Sequence, residues 1–296
     1  MTLALPWWLY AIGFTFGFAA FVLINQQMKM RADLMIAWRG IMLAIAMAPV
    51  MLFIDFPTST GFIISVLAVG VVASLTDMKV LSLSAEIGGG PLSRLLPIGV
   101  WLSFALWTTV DASYREALFS DPGQALGILA CLVLCVLAAA MLRRDPVSRA
   151  ALPMVIPVII GGALIDFLNK SAMGFAEPGK ILDAGLAYIW LQNLVISVLM
   201  MGRLTMLRGD NWRVEMLDRR LVITAAVFSL LVAFVTLIRN FAMAGTPNPG
   251  YVGAIGLGAT VLIILFNRWR DVPDKSNIMA GLAFVASAAM LVLITS

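Results

Sequence analysis

Histidine is absent from all 296 residues, and cysteine occurs only at Cys131 and Cys135. The first absence removes the commonest metal ligand and the usual acid–base group of neutral pH. The two cysteines lie one helical turn apart in an apolar run, which reads as packing and not as a disulfide or metal pair. Charge is also scarce, at 12% of residues, against about 25% in an ordinary soluble domain. The hydrophobic share is 61% and the mean hydropathy is +0.99. No globular interior hides that much apolar surface, so lipid must be the solvent for much of the chain. Nor does the net charge of +4 point to nucleic acid. The basic residues stand in short connections between apolar runs, where they set membrane orientation.

Apolar windows of about 18–20 residues mark membrane-crossing helices. Ten are expected, over 6–25, 34–54, 61–79, 91–110, 124–142, 153–173, 184–202, 221–239, 251–267 and 277–295. The stretch 6–25 is too long for a signal-peptide core and lacks a small-residue cleavage site after a basic start, so it reads as the first span. Short alternating segments, the mark of a barrel, are missing. The fold class is therefore an all-α integral membrane protein with no cofactor and no soluble catalytic module. The connections numbered one, five, seven and nine hold Lys29, Arg31, Arg143, Arg144, Arg149, Arg203, Arg208, Arg213, Arg219, Arg220, Arg268, Arg270 and Lys275. The even-numbered ones hold only Arg115 and Lys180. The positive-inside rule then places both termini outside the cytoplasmic membrane.

The chain also repeats itself. A shift of 144 lays "GFAAFVLIN" (17–25) over "GGALIDFLN" (161–169), matching Gly17 with Gly161 and Asn25 with Asn169. A shift of 160 matches Thr76 with Thr236, Lys79 with Arg239, Gly90 with Gly250 and Asp111 with Asp271. The reading is a first five-helix repeat at 1–143, a cytoplasmic linker at 144–152 and a second repeat at 153–296. Five spans per copy turn the second copy upside down, and such inverted repeats recur in secondary transporters.

Local patterns carry a family resemblance. "RADLMIAWRGIMLAIAMAPVML" is similar to the second helix of the drug/metabolite transporter superfamily in its EamA-like branch, with Arg39 early in the span. "DMKVLSLSAEIGGGPLSRLLPIGVWL" resembles that branch's passage from helix three to helix four, and "LIRNFAMAGTPNPGYVGAIGLGATVLIIL" its counterpart in the second half. "LGILACLVLCVLAAAML" and "MAGLAFVASAAMLVLI" look like the fifth and tenth helices. Where many relatives carry a Gly–Glu pair after helices four and nine, this chain has "TTVDASYRE" and "NRWRDVPD". The resemblance implies a carrier of small metabolites, with its solute cavity between the two halves; the expected assembly is a monomer.

Polar groups inside the spans are the candidate site. An ionisable group at bilayer depth costs about 2.5–3.5 kcal/mol on insertion scales and usually faces the bundle interior. Asp166, Asn169 and Lys170 share one face of the sixth span. Two readings stand: Asp166 and Lys170 neutralise each other and pin helices, or this face lines a cavity, with Asp166 taking a proton or Lys170 meeting an anionic solute. Lys79 and Arg239 either snorkel to the headgroups or guard opposite gates. Arg39 reads as an anchor, and Asp77 and Glu86 as parts of a charge network with Arg94 and Lys79. The amides of Asn25, Gln192 and Asn193 hold either a solute or another helix. Trp38, Trp101 and Trp190 are candidates for cavity walls. Gly253 to Gly258 has no strand before it and no lysine after it, so it is not a phosphate loop.

Together these features lead to the expectation of a secondary transporter for a small polar or amphipathic metabolite, with protons as the candidate coupling ion. The alternative on the same scaffold is a flippase for lipids or lipid-linked sugars. An intramembrane enzyme is disfavoured, because no acid, base and metal-ligand set converges.

Overall fold

The computed structural model of the chain describes residues 5–86, 96–142, 152–206, 211–270 and 277–295. Gly90, Pro91, Arg94, Asp271, Lys275, Arg208 and the connection 143–151 lie outside the described residues. Every regular element among the described residues is helical. In chain order they are α1 (Trp7–Met28), α2 (Ala32–Met47, followed by a 3₁₀ turn at Pro49–Leu52), α3 (Thr60–Glu86), α4 (Leu96–Val110), α5 (Ala112–Ser120) and α6 (Pro122–Met141). Then come α7 (Leu152–Gly174), α8 (Ile181–Met206), α9 (Trp212–Met216), α10 (Arg219–Gly245), α11 (Pro249–Gly256), α12 (Gly258–Trp269) and α13 (Ile278–Thr295).

Among the described residues, eight helical segments are long and apolar enough to cross a membrane, and α4 and α13 are shorter apolar helices. Most are apolar around their whole circumference, because one face packs in the bundle while the other meets lipid. Phe16, Ile64, Leu230 and Leu293 are more than half exposed on such outer faces. This is the architecture of a multi-pass α-helical membrane protein.

The expected span 251–267 falls within one apolar segment, Pro249–Trp269, in which α11 and α12 meet at Leu257 with its backbone still right-handed helical. The connections after α4 and after α8 contain the short helices α5 and α9. Local chemistry sets several starts. Asp111 caps α5 by accepting from the Tyr114 amide at 3.0 Å. Asp218 caps α10 by accepting from the Leu221 amide at 3.0 Å, and Asn248 caps α11 by accepting from the Gly250 amide at 2.8 Å, with Pro249 at the first turn. Each bond satisfies a donor that a helix start leaves open.

The principal packing partners are α1 with α10, α3 with α7, α2 with α8, α6 with α13, and α3 with α8, and α4 packs on α11. Small residues permit the close crossings that membrane helices need in place of a hydrophobic drive. At Gly40 a side chain would meet the Ser197 backbone nitrogen of α8 at 2.7 Å, so α2 and α8 touch backbone to backbone.

Candidate functional site: a charged cavity inside the bundle

The described residues line a cavity of about 180 Å³, partly open to its surroundings, with walls from α1, α2, α3, α4, α7, α8, α10 and α11. Much of its wall is apolar. Phe14, Phe18 and Phe21 recur at helical spacing along one face of α1 and all reach it. Their rings follow one another at 5.8 Å and 6.0 Å between centroids, so α1 presents a stacked aromatic ladder. Val158, Gly162 and Ile165 face the same space from α7, and nothing lies within 4 Å of where a side chain at Gly162 would begin.

Two arginine–carboxylate pairs break this apolar lining. Arg39 on α2 donates from Nη1 to the Asp77 carboxylate on α3 at 2.6 Å. Arg239 on α10 donates from Nη2 to the Asp166 carboxylate on α7. All four residues line the cavity. Arg39 is only 1% exposed, a burial tolerated because its charge is paired. Arg239 also lies over the Phe14 ring, 5.3 Å from its centroid, a cation–π contact. Tyr188 of α8, buried beside the cavity, lies within electrostatic range of both pairs. Both guanidinium groups keep a buried Nε without a partner.

The sequence-selected residues divide. Asp166 and Arg239 come together, although they are 73 positions apart. Lys170 does not pair with Asp166. Its ammonium donates to the Met243 carbonyl at 3.0 Å and the Thr246 carbonyl at 2.6 Å, at the end of α10, and lies 5.7 Å from the Trp107 ring centroid. It therefore complements the negative end of a helix. Asn169 is fully buried with neither amide atom partnered, and it is not among the cavity-lining residues.

Asn25 is engaged with backbone: it accepts from the Met30 amide at 3.0 Å and donates to the Leu81 carbonyl at 2.9 Å. That fixes the turn after α1, where Lys29 adopts the left-handed conformation. Lys79 is exposed on α3, one residue from the cavity-lining Val80. Asn193 donates to the Ile189 carbonyl of its own helix at 2.8 Å. Trp38 donates to the Met216 carbonyl at 2.9 Å, and Trp190 packs edge-on against Phe56. None of Asn25, Lys79, Asn193, Trp38 and Trp190 lines the cavity.

Sequence reasoning missed the aromatic ladder and treated Arg39 as an anchor. A signal was available for the ladder, since phenylalanines at 14, 18 and 21 fall on one helical face. The pairing of Arg39 with Asp77 joins two helices and has no local spacing to announce it. No family model and no curated protein sequence matches the chain.

Proposed function

We propose that the chain is a secondary transporter of the EamA-like, drug/metabolite kind, built as ten spans in two inverted five-helix repeats. It moves a small polar or amphipathic metabolite across the cytoplasmic membrane by alternating access. The observation that carries this reading is the cavity inside the bundle with two arginine–carboxylate pairs in its lining, set among helices long and apolar enough to cross a membrane. Charges placed there are costly, and a carrier has a use for them.

The repeat finds support in how the lining is assembled. At the shift of 144, Phe14, Phe18 and Phe21 of α1 correspond to Val158, Gly162 and Ile165 of α7, and all six line the cavity. At the shift of 160, Thr76 and Thr236 correspond, and both line it as well. The packing pairs follow the same exchange. If α1 and α7 swap roles, and α3 and α10 likewise, then α1 against α10 becomes α7 against α3, both of which are principal contacts. A side chain at Gly17 would overlap Val235 of α10, and one at Gly161 would overlap Thr76 of α3. A cavity shared by two halves in this way can open to one side and then the other as the halves rock.

The cavity's volume of about 180 Å³ lies below the range of about 300–1,000 Å³ typical for drug-sized ligands. That favours a small solute over a lipid. The test is a thermal-shift screen of small metabolites on detergent-purified protein, followed by counterflow of each hit in proteoliposomes. The proposal expects at least one stabilising solute to exchange across the bilayer. Hits that bind but never exchange would contradict it.

A further inference from the structure

We infer that Asn169 is one half of a two-position latch. Unpaired in this state, it takes up in the alternate state the bonds that Asn25 makes now, so that the ends of α1 and α7 are fastened in turn. The inference rests on the carrier reading above and adds the device that switches it.

The two asparagines sit at opposite ends of the bundle. Against α10, α1 runs one way, with Gly13 beside Ile238 and Gly17 beside Val235. α7 runs the other way, with Asp166 beside Arg239 and Lys170 at the Met243 carbonyl. Their last turns meet corresponding neighbours. At the end of α1, Gln26 donates to the Asn267 side-chain oxygen of α12 at 3.3 Å. At the end of α7, Lys170 lies over the Trp107 ring of α4. The shift of 144 carries Gln26 to Lys170, and the shift of 160 carries Trp107 to Asn267.

Asn25 and Asn169 break that correspondence. Asn25 accepts from the Met30 amide and donates to the Leu81 carbonyl of α3, and α1 stops at Met28 with Lys29 left-handed. The counterparts of Met28 and Lys29 are Ala172 and Met173, yet α7 continues as helix to Gly174. Gly174 is the counterpart of Met30, so the amide that would serve Asn169 is still part of the helix. Among the described residues, Asn169 alone has both polar side-chain atoms buried and unpartnered. It does not line the cavity, so a solute there does not meet it. A buried amide without bonds costs stability, and an apolar side chain would suit this state better. The bonds are supplied in a second state. There α7 ends at Ala172, and Asn169 accepts from the Gly174 amide and donates to the carbonyl of Phe241, the counterpart of Leu81. With Asn25 fastened and Asn169 free, the present state is shut at the end of α1 and set to open at the end of α7. The exchange reverses both.

Asn169→Leu keeps the size of the side chain and removes its bonds. In mixed micelles it is expected to raise the melting midpoint, because an orphaned amide gives way to an apolar group of similar shape. Accessibility is read in the full chain with Cys131→Ala and Cys135→Ala, using Ala163→Cys in the cavity wall as the probe. A membrane-impermeant thiol reagent is applied to oriented vesicles from one face at a time. Asn169→Leu is expected to lose labelling from the face where α1 ends and to keep it from the face where α7 ends. Asn25→Leu is expected to do the reverse and to lower the midpoint. A midpoint that does not rise for Asn169→Leu means that its amide is already bonded here, and overturns the inference. Labelling of Asn169→Leu from both faces, or only from the face where α1 ends, overturns it too and leaves the carrier reading standing. If Asn169→Leu does not fold, hydrogen exchange in the unaltered protein decides. Residues 170–174 are expected to exchange by local opening well ahead of the last turn of α1, and equal protection overturns the inference. If the probe with Asn169 intact is labelled from one face only, the carrier reading falls and the latch with it.

Discussion

Asp166 on α7 is paired with Arg239 on α10, and Lys170, one turn along from Asp166, is turned instead to the Met243 and Thr246 carbonyls. An acid and a base at i and i+4 would ordinarily find each other on a helix surface. Here the two belong to separate arrangements. Asp166 lines the cavity, while Lys170 ties the end of α7 to the end of α10.

Breaking the cavity pair from one side strands a charge. Asp166→Ala or Arg239→Ala is expected to cost about 3–5 kcal/mol, because the remaining partner stays buried and uncompensated. The double variant Asp166→Ala/Arg239→Ala should cost clearly less than the sum of the two. Reversible unfolding in mixed micelles measures all three.

Lys170→Met removes two charged hydrogen bonds, each worth about 1.5–3 kcal/mol. Because Lys170 and Asp166 do not touch, its effect should add to that of Asp166→Asn within about 0.5 kcal/mol. A coupling well above that in a double-mutant cycle would mean that the two side chains do pair.

Adjacent glycines should behave in opposite ways. At Gly161 a side chain overlaps the Thr76 hydroxyl, so Gly161→Val should destabilise by about 1–3 kcal/mol through overpacking of α3 on α7. At Gly162 the space is open, so Gly162→Phe should fold with near-unchanged melting behaviour. Its ring would fill the solute cavity and abolish solute-induced stabilisation.

Outside the membrane, Asp111 gives a pH signature. The Ser113 hydroxyl, at 2.6 Å, and the Tyr114 amide hold its carboxyl below the usual carboxylate range. A depressed folded-state value contributes stability above the unfolded value of about 3.9, and loses it as pH falls through the folded one. Asp111→Ala should therefore cost about 1 kcal/mol near neutrality, and the difference from the unaltered protein should shrink below about pH 4.

Much of the fold was legible because lipid imposes a simple rule: long apolar runs become helices, and short polar ones turn between them. The run 251–267, which hydropathy reads as continuous, stays one apolar segment even where α11 meets α12 at Leu257. In the site, the sequence singled out Asp166 as a charge at depth and Arg239 as a charge at a span end without pairing them, because helix crossings bring together residues far apart in the chain. The same limitation applied to Asn25. An amide at a span end suits a solute as well as a backbone carbonyl, and only the crossing of α1 with α3 places it against Leu81. For Trp38, side-chain direction was decisive: its indole turns to Met216 and away from the cavity.

The claim that this cavity is a solute path open to each side in turn is most directly tested by cysteine accessibility. Ala73 and Ala163 line the cavity from α3 and α7, and the two native thiols, Cys131 and Cys135, are buried and free. With both native cysteines replaced by alanine, Ala73→Cys and Ala163→Cys are each exposed to a membrane-impermeant thiol reagent from one face of oriented vesicles at a time. The account predicts labelling of both positions from either face, slowed by a bound solute. Labelling from one face only, however long the exposure, would contradict it.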